Sequence, residues 1–598
     1  MLASIFSLSN LSNSGLHRGY RKYPDYNNQL HSIIYRGNNY MNINPIVIRQ
    51  NFKIGELDAE SDTQLLESCF IDSGYLSKLL NPSDTSSIVI GRTGAGKSAL
   101  LHMVANRAYK FKKLDPNDIS IGFLEHSDII SFFEEINVNL DMFYKVLWRH
   151  ILIMELLKIR HDIKSESDTN NFFSNLLSRL RKDEVKRKAL EYFREWGDKF
   201  WIDTDTHLRE ITYKLERDTK ASIGAEYSGI SLNADYAKKL TEEQKHDVKN
   251  RASEVVSRLQ IQKLNEILSL LADYSFDDPQ KNYYIIIDQL DENWAENDTR
   301  YKFIRALIEE IKVFRKIKNI KIIAALRLDL LRSVFNLTRG SGFQEEKYES
   351  YILDIKWTAQ QLTELVQKRV REVYRRQYTR EDVTIKDIFP KAKGGNLGLT
   401  PIEYIIERTL YRPRDVLQYV NECFNVALNR ERISWDSIHK AESVYSLKRL
   451  RSLKEEWGDI YPSFEETIEI LRNLPDKFSR NSISKNTVDT VLSELSIQNT
   501  SDPCAMMAYR FLDGDSREQD VINEIMLCLY TVGIVAFKIS TLTPYKWAFR
   551  DSTPTTKNEI KRASLMKIHK MLHSALDIRI TTGNRYERDT EEQIDEHQ

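Results

Sequence analysis

Short β-branched runs alternate along the chain with long stretches whose apolar residues recur at helical spacing. From Gln64 the helical pattern (LLESCF, YLSKLL) leads through the turn-forming NPSDTSS into Ile88–Ile90, a short apolar run that stops at a glycine, as a buried parallel strand does. A helix is predicted from Lys97 to about Tyr109, and a strand at Ile119–Leu124 (ISIGFL). Two more strands are predicted at Tyr283–Ile287 (YYIII) and Lys321–Leu326 (KIIAAL), separated by a helical segment of roughly 30 residues rich in Glu and Lys. Strands alternating with helices call for an α/β fold with a parallel sheet covered on both faces.

Between Ser127 and Tyr274 the pattern is helical, interrupted at 222–236 (SIGAEYSGISLNADY), where alternation predicts a small hairpin. Residues 355–460 read as helix throughout. The segment 464–580 runs helices first, then GIVAFKI (533–539) and PYKWAFR (544–550) as two strands, the order of a winged helix-turn-helix. The expected organisation is a disordered extension (1–45), a core in two parts (60–126 and 275–355), a helical insertion (127–274), a helical lid (356–460), a winged-helix-like domain (461–580) and an acidic tail (581–598). There is no internal repeat, which excludes solenoids and propellers.

Gly91-Arg92-Thr93-Gly94-Ala95-Gly96-Lys97-Ser98 fits G-x-x-x-x-G-K-[ST] without a mismatch, between a strand and the apolar helix that begins KSALLHMVANR and includes Ala99. Glycines let the backbone wrap around phosphate oxygens with its N–H groups pointing inward, and the helix N-terminus adds partial positive charge. Lys97 is placed to reach the β- and γ-phosphates, and the Ser98 hydroxyl to ligate magnesium. Such a P-loop needs a second acid at the end of a buried strand, and YYIII-Asp288 supplies it. The predicted ligands are therefore ATP, or GTP, with Mg2+, and the predicted chemistry is nucleoside triphosphate hydrolysis in a P-loop core.

Hydrolysis also needs a group that orients or deprotonates water. Gln289 follows Asp288 and has no basic function, so Asp291 and Glu292 are the candidates, Asp291 slightly ahead; both also suit an ordinary helix N-terminus. Transition-state charge calls for cations beyond Lys97. Arg327 ends the KIIAAL strand, and Arg412 and Arg414 open a later helix (RPRDVLQYV). Surface ion pairs are the alternative use for each.

Bulk composition narrows the partners only slightly. Lys plus Arg and Asp plus Glu both total 87, so no global field draws the chain to nucleic acid or membrane. The cysteines Cys69, Cys423, Cys504 and Cys528 are scattered, without metal-ligand spacing, which suits reduced thiols and a cytoplasmic location. No apolar run approaches the ~20 residues that span a bilayer. Met1–Leu11 carries no positive charge, against a secretory signal. A transit peptide and a start at Met41 are the alternatives to a simple tail.

Taken in order, GRTGAGKS, IIIDQLDENW, AALRLDLL and RPRDVLQYV resemble bacterial ATPases of the STAND class and their KAP-type relatives, over Leu66 to about Leu576. The resemblance implies a switch, an ADP-bound monomer at rest and an ATP-bound homo-oligomer when activated, often linked to anti-phage defence. It implies that Arg327 senses the γ-phosphate. It also implies that His569, in IHKML, holds ADP in the closed state, although Lys570 stands where the class usually has Asp. With about ninety residues before the loop and no nuclease-like or triad-like set, a separate effector or sensor protein is expected, or one hidden in 127–274. The alternative is a DNA-associated ATPase of the AAA+ initiator or loader type. The basic stretch VQKRVREVYRRQYTR, with Lys368, Arg369, Arg371, Arg375, Arg376 and Arg380 interleaved by Tyr374 and Tyr378, suits it, as it also suits a solvated helix face beside Glu364, Glu372 and Glu381.

Overall fold

The computed structural model describes residues 47–115, 127–179, 184, 187, 190–191, 204–224, 231–258, 261–274, 276, 278–290, 297–337, 345–378, 383–393, 398–498, 501–540, 543–551 and 555–581. Five strands form one sheet: β1 (Ile88–Gly91), β2 (Lys110–Leu114), β3 (Tyr283–Ile287), β4 (Ile320–Arg327) and β5 (Ile352–Asp354). They lie in the order β2-β3-β4-β1-β5, and every neighbouring pair is parallel. The α/β fold expected from the sequence is the fold observed. β3 and β4 owe their central places to side chains apolar on both faces.

The edge strand beside β3 is Lys110–Leu114, not Ile119–Leu124; its register runs from Lys110 opposite Tyr283 to Leu114 opposite Ile287. Only Leu114 of this lysine-rich strand is buried, so hydrophobic pattern alone does not reveal it. The helix before it, α1 (Lys97–Arg107), ends two residues short of Tyr109. Residues 119–124 lie outside the described residues.

Alternate residues of the strands feed two cores. Tyr284, Ile286, Val89, Ile323 and Ala325 pack against α1 and the short helix Tyr75–Leu80 on one face. Ile285, Ile287, Ile88, Ile90, Ile322 and Ala324 meet the inserted helices on the other, so the insertion shares the core of the sheet. Its main element, α2 (Asp141–His161), is buried along nearly its whole length. Trp148 lies over Phe303 at 4.6 Å between ring centroids and donates to the Phe303 carbonyl at 2.9 Å. That residue belongs to α3 (Asn297–Phe314), the helix between β3 and β4. Arg149 forks onto the Glu310 carboxylate at 2.6 and 2.7 Å, both side chains buried. The hairpin expected at 222–236 is not formed by its described ends. The helix Thr204–Ile223 takes the first two residues, and the helix Ala234–Lys239, capped by Asn233, takes the last three; 225–230 lie outside the described residues.

The longer helices after the sheet include α4 (Ala359–Tyr378), α5 (Pro413–Val426), α6 (Trp435–Trp457), α7 (Lys485–Ser496), α8 (Pro503–Leu512) and α9 (Glu518–Val532). With β6 (Lys477–Phe478), β7 (Val535–Lys538) and β8 (Leu565–Ile568), which pair antiparallel as β6-β8-β7, they share one continuous apolar core. The two domains expected at 356–460 and 461–580 are thus fused, and Ile48, Phe52 and Ile54 join the same core. PYKWAFR is not a strand. Lys546 makes a single bridge to Phe537, after which the chain turns, with the Trp547 amide donating to Asp551 at 2.6 Å; β8 takes the place in the sheet.

The Arg149–Glu310 fork yields a prediction. Arg149→Met strands a buried carboxylate and is expected to cost ~3–5 kcal/mol, lowering the melting temperature. Adding Glu310→Leu should recover most of the loss in the same melting measurement.

Candidate nucleotide site

The loop from Gly91 to Ser98 leaves β1 and closes into α1. Gly94 and Gly96 have φ of +80° and +95°, where a side chain is strained, and a Cβ on Gly94 would stand 2.7 Å from that of Arg414. β4 lies between β1 and β3, so the ends of those two strands stand about 10 Å apart. The loop crosses the end of β4, where Arg327 is in register with Gly91, and delivers Ser98 to Asp288. Ser98 stands beside the Asp288 carboxylate, which is 5% exposed and accepts from the Gln289 amide at 3.0 Å. This is a P-loop fold.

Asp288 carries a raised pKa because burial disfavours its charge, against hydrogen bonds from Ser98 and the Gln289 amide and the nearby charges of Lys97 and Lys113. Gln289 itself is left-handed, φ +62°, an uncommon state for a residue with a side chain. Lys97 is buried and donates to the carbonyls of Gly91 and Arg92 at 3.2 and 3.4 Å. Ala95 is buried in the loop, and Ala99 is half-buried in the first turn of α1. One neutral and one anionic oxygen ligand, brought side by side, fit Mg2+, which takes few protein ligands and completes its shell with water and phosphate. When bound, the ion would neutralise developing phosphate charge. Asp291 and Glu292, the candidate bases, lie outside the described residues.

The helical side of the molecule grips this loop from several directions. Trp357 donates its indole N–H to the Ala95 carbonyl at 2.8 Å. Arg412, at the head of α5, donates to the Thr93 carbonyl. Its fork also reaches Asp415 at 2.8 Å and both oxygens of Glu456 at 3.0 and 3.2 Å. The Arg414 amide donates to the Gly94 carbonyl at 3.4 Å, and its guanidinium to the Leu57 carbonyl at 3.1 Å. Arg327 is bound by Asp329 at 2.7 and 3.1 Å and by the Glu456 carbonyl at 2.8 Å. The three arginines expected as cations, Arg327, Arg412 and Arg414, thus each have their guanidinium engaged by protein acceptors.

Arg92 departs furthest from its expected role. Its side chain leaves the loop and caps the end of α9, donating to the carbonyls of Val532 and Thr531 at 2.8 and 3.1 Å, beneath the ring of Phe549. Burial pushes its pKa down to about 10. His569, which follows β8, is buried; its Nδ1 accepts from the Met571 amide at 3.1 Å and its ring stands edge-on to Trp547 and Phe549. Burial, with nearby cations, keeps the imidazole neutral. Its link to the loop runs through Phe549 and Arg92. Lys570 pairs with Glu407 at 2.7 Å. Trp357 and Glu456 escaped sequence reasoning; the tryptophan three residues past the short strand Ile352–Asp354 was the available signal for the first, and Glu456 had none.

The basic stretch of α4 is largely committed. Arg369 is buried against Asp62 at 2.5 Å, Lys368 pairs with Glu364, and Arg375 and Arg376 both bind Glu372, holding its carboxyl down to about 2. Tyr374 is fully buried; Arg380 lies outside the described residues.

Residues 360–454, which run from α4 into α6, match the family described as FunZ-associated C-terminal helical domain. An Escherichia coli (strain K12) protein described as "Putative transposon gamma-delta 80.3 kDa protein" is 24% identical over 522 residues, 84% of this chain; the chain spans 64% of that relative's length. Among solved structures, a Walker-type ATPase of Pyrococcus abyssi is similar at 11% identity and a TM-score of 0.29, covering 84% of this chain and 97% of that one. The Aeropyrum pernix ORC2 protein is similar at 11% identity and a TM-score of 0.28, over 86% and 95%. These structural likenesses are too loose to bear on activity. Among the described residues, no helix is long and apolar enough to cross a membrane.

A carboxylate whose folded pKa is raised binds its proton more tightly folded than unfolded, so stability falls as pH rises through that window and the full penalty is present at neutral pH. Asp288→Asn, which keeps an acceptor for Ser98, is therefore expected to raise the melting temperature near neutral pH by a few degrees. The gain should vanish when melting is repeated below the ordinary carboxylate range.

Proposed function

We propose that this chain is a magnesium-dependent ATPase that acts as a slow regulatory switch. The reading rests on one juxtaposition, Ser98 beside the buried Asp288 carboxylate at the mouth of a loop whose Gly94 and Gly96 are left-handed. Lys97 supplies the cation for the phosphates, and Ser98 with Asp288 the magnesium ligands. The base lies in the segment after Leu290, where Asp291 and Glu292 are the candidates.

The switch is supported by how the helical side holds the loop: Arg92, Trp357, Arg412 and Arg414 each tie it to residues that precede or follow the sheet. A phosphate entering the loop bears on all four ties. In this STAND-like or KAP-like reading the chain assembles as a homo-oligomer on ATP and acts with a separate effector or sensor protein in the cytoplasm, in a setting such as anti-phage defence. His569 acts on ADP only through the ring of Phe549. The DNA-associated alternative is weaker, because exposed cations of the C-terminal unit sit beside acids: Lys485 with Asp489 and Glu518, Lys557 with Glu524, Arg517 with Asp520.

Phosphate release is expected from the wild-type chain with Mg2+ and ATP, and to be lost in Lys97→Ala and Asp288→Asn; equal release in all three would remove the ATPase. Size measurements should show a larger assembly with a non-hydrolysable ATP analogue than with ADP, and none in Lys97→Ala. One unchanging size would remove the switch. Duplex DNA titrated at low salt is expected not to bind, and salt-dependent binding would favour the initiator-like reading.

A further inference from the structure

Glu456 lies in the last turn of α6, the negative end of a 23-residue helix, where an acid is electrostatically misplaced. Its side chain is nonetheless only 7% exposed, and its carboxylate takes both arms of Arg412, at 3.0 and 3.2 Å, and one of Arg449, at 2.7 Å. Its own backbone carbonyl takes Arg327 at 2.8 Å. The arginine that ends β4 beside the loop and the arginine that opens α5 over it thus end on the same residue.

Arg412 is set there under strain. Tyr411 before it has φ +52°, left-handed for an aromatic residue, and Arg550 lies over the Tyr411 ring at 4.6 Å. Arg412 and Arg449 face Asp415 and Glu456, and Arg327 faces Asp329, with Arg92 and Arg332 close by. Every nitrogen of the Arg412 guanidinium is engaged, so an anion that takes its fork has to displace a carboxylate. A guanidinium fork that binds a carboxylate with two parallel N–H groups offers the same face to two phosphate oxygens. Arg412 already touches the loop at Thr93.

We infer that Glu456 is a built-in stand-in for phosphate, a latch that holds Arg412 away from the nucleotide in the resting conformation and yields it when ATP enters the loop. The latch rests on the nucleotide-binding reading above and adds its regulation. Arg412 has two competing anionic partners, so binding of the triphosphate and release of the end of α6 are reciprocally coupled. The geometry supplies the two-state element: one arginine, a carboxylate on α6 and a loop built for phosphate.

The test is titration of the full chain with a fluorescent, non-hydrolysable ATP analogue and Mg2+. Glu456→Gln, which keeps the shape and removes the charge, is expected to tighten binding roughly tenfold, within the usual range for coupled sites. In an Arg412→Gln background the gain should disappear, because the arginine it frees is gone. Wild-type affinity in Glu456→Gln, or a gain that survives in Arg412→Gln, would overturn the latch and leave Glu456 a structural ion-pair partner. Lys97→Ala separates the two levels. If it loses binding that the wild type shows while Glu456→Gln matches the wild type, the latch alone fails; if it binds as the wild type does, the nucleotide site fails and the latch with it. Should Glu456→Gln not fold, hydrogen exchange on the wild type decides: amides of residues 453–457 should exchange faster with the analogue than without, and unchanged exchange overturns the proposal.

Discussion

A hydroxyl and a carboxylate from strands that do not touch must meet above a third strand, and the rest of the molecule is arranged around that requirement. β4 separates β1 from β3, so the loop after Gly91 has to arch across the end of β4 before α1 can present Ser98 to Asp288. An arch of that kind exposes its carbonyls outward while its amides turn in. The outward carbonyls of Thr93, Gly94 and Ala95 are met by Arg412, the Arg414 amide and Trp357 in turn. The helical side of the molecule is in this sense the outer half of the phosphate loop, because it satisfies the backbone groups that the loop's curvature leaves over.

Electrostatics follow from the same burial. Taking Asp288 out of water raises its pKa, so the ionised form that a magnesium site needs is held at a cost to the fold. Arg412 is treated in the opposite way. Burial alone would lower its pKa, yet Asp415 and Glu456 raise it above the ordinary value, whereas Arg92, which meets backbone carbonyls, is left lowered. The site therefore combines one carboxylate that is charged at a cost to the fold with two arginines, Arg327 and Arg412, already paired with acids.

The parts of this arrangement that are contiguous in sequence were legible there. The loop, its strand and its helix are one unbroken motif, and YYIII and KIIAAL announce themselves because central parallel strands are apolar on both faces. Edge strands gave less: KFKKL buries a single side chain, β5 has three residues and β6 two, too few for a period to show. PYKWAFR carries the aromatic residues of a strand, but its aromatic side chains pack on His569 and Phe537's neighbours while one bridge ends the pairing. The arginines show the limit most clearly. Arg92 stands in the loop, Arg327 ends β4 and Arg412 opens α5, but where each guanidinium ends depends on Val532, Asp329 and Glu456, and for Arg92 the partner is 440 residues away.

The sheet order has a further consequence for biosynthesis. β1 is made early, yet both of its neighbours, β4 and β5, are encoded after the whole helical insertion. Until the ribosome has delivered Arg327, the nascent chain carries an apolar strand with neither side paired and a phosphate loop with no Asp288 strand fixed beside it. The same holds for β6, which waits for β8. Maturation of this protein thus turns on closure of long loops rather than on local helix formation, since the main inserted helix also waits for α3 to cover it.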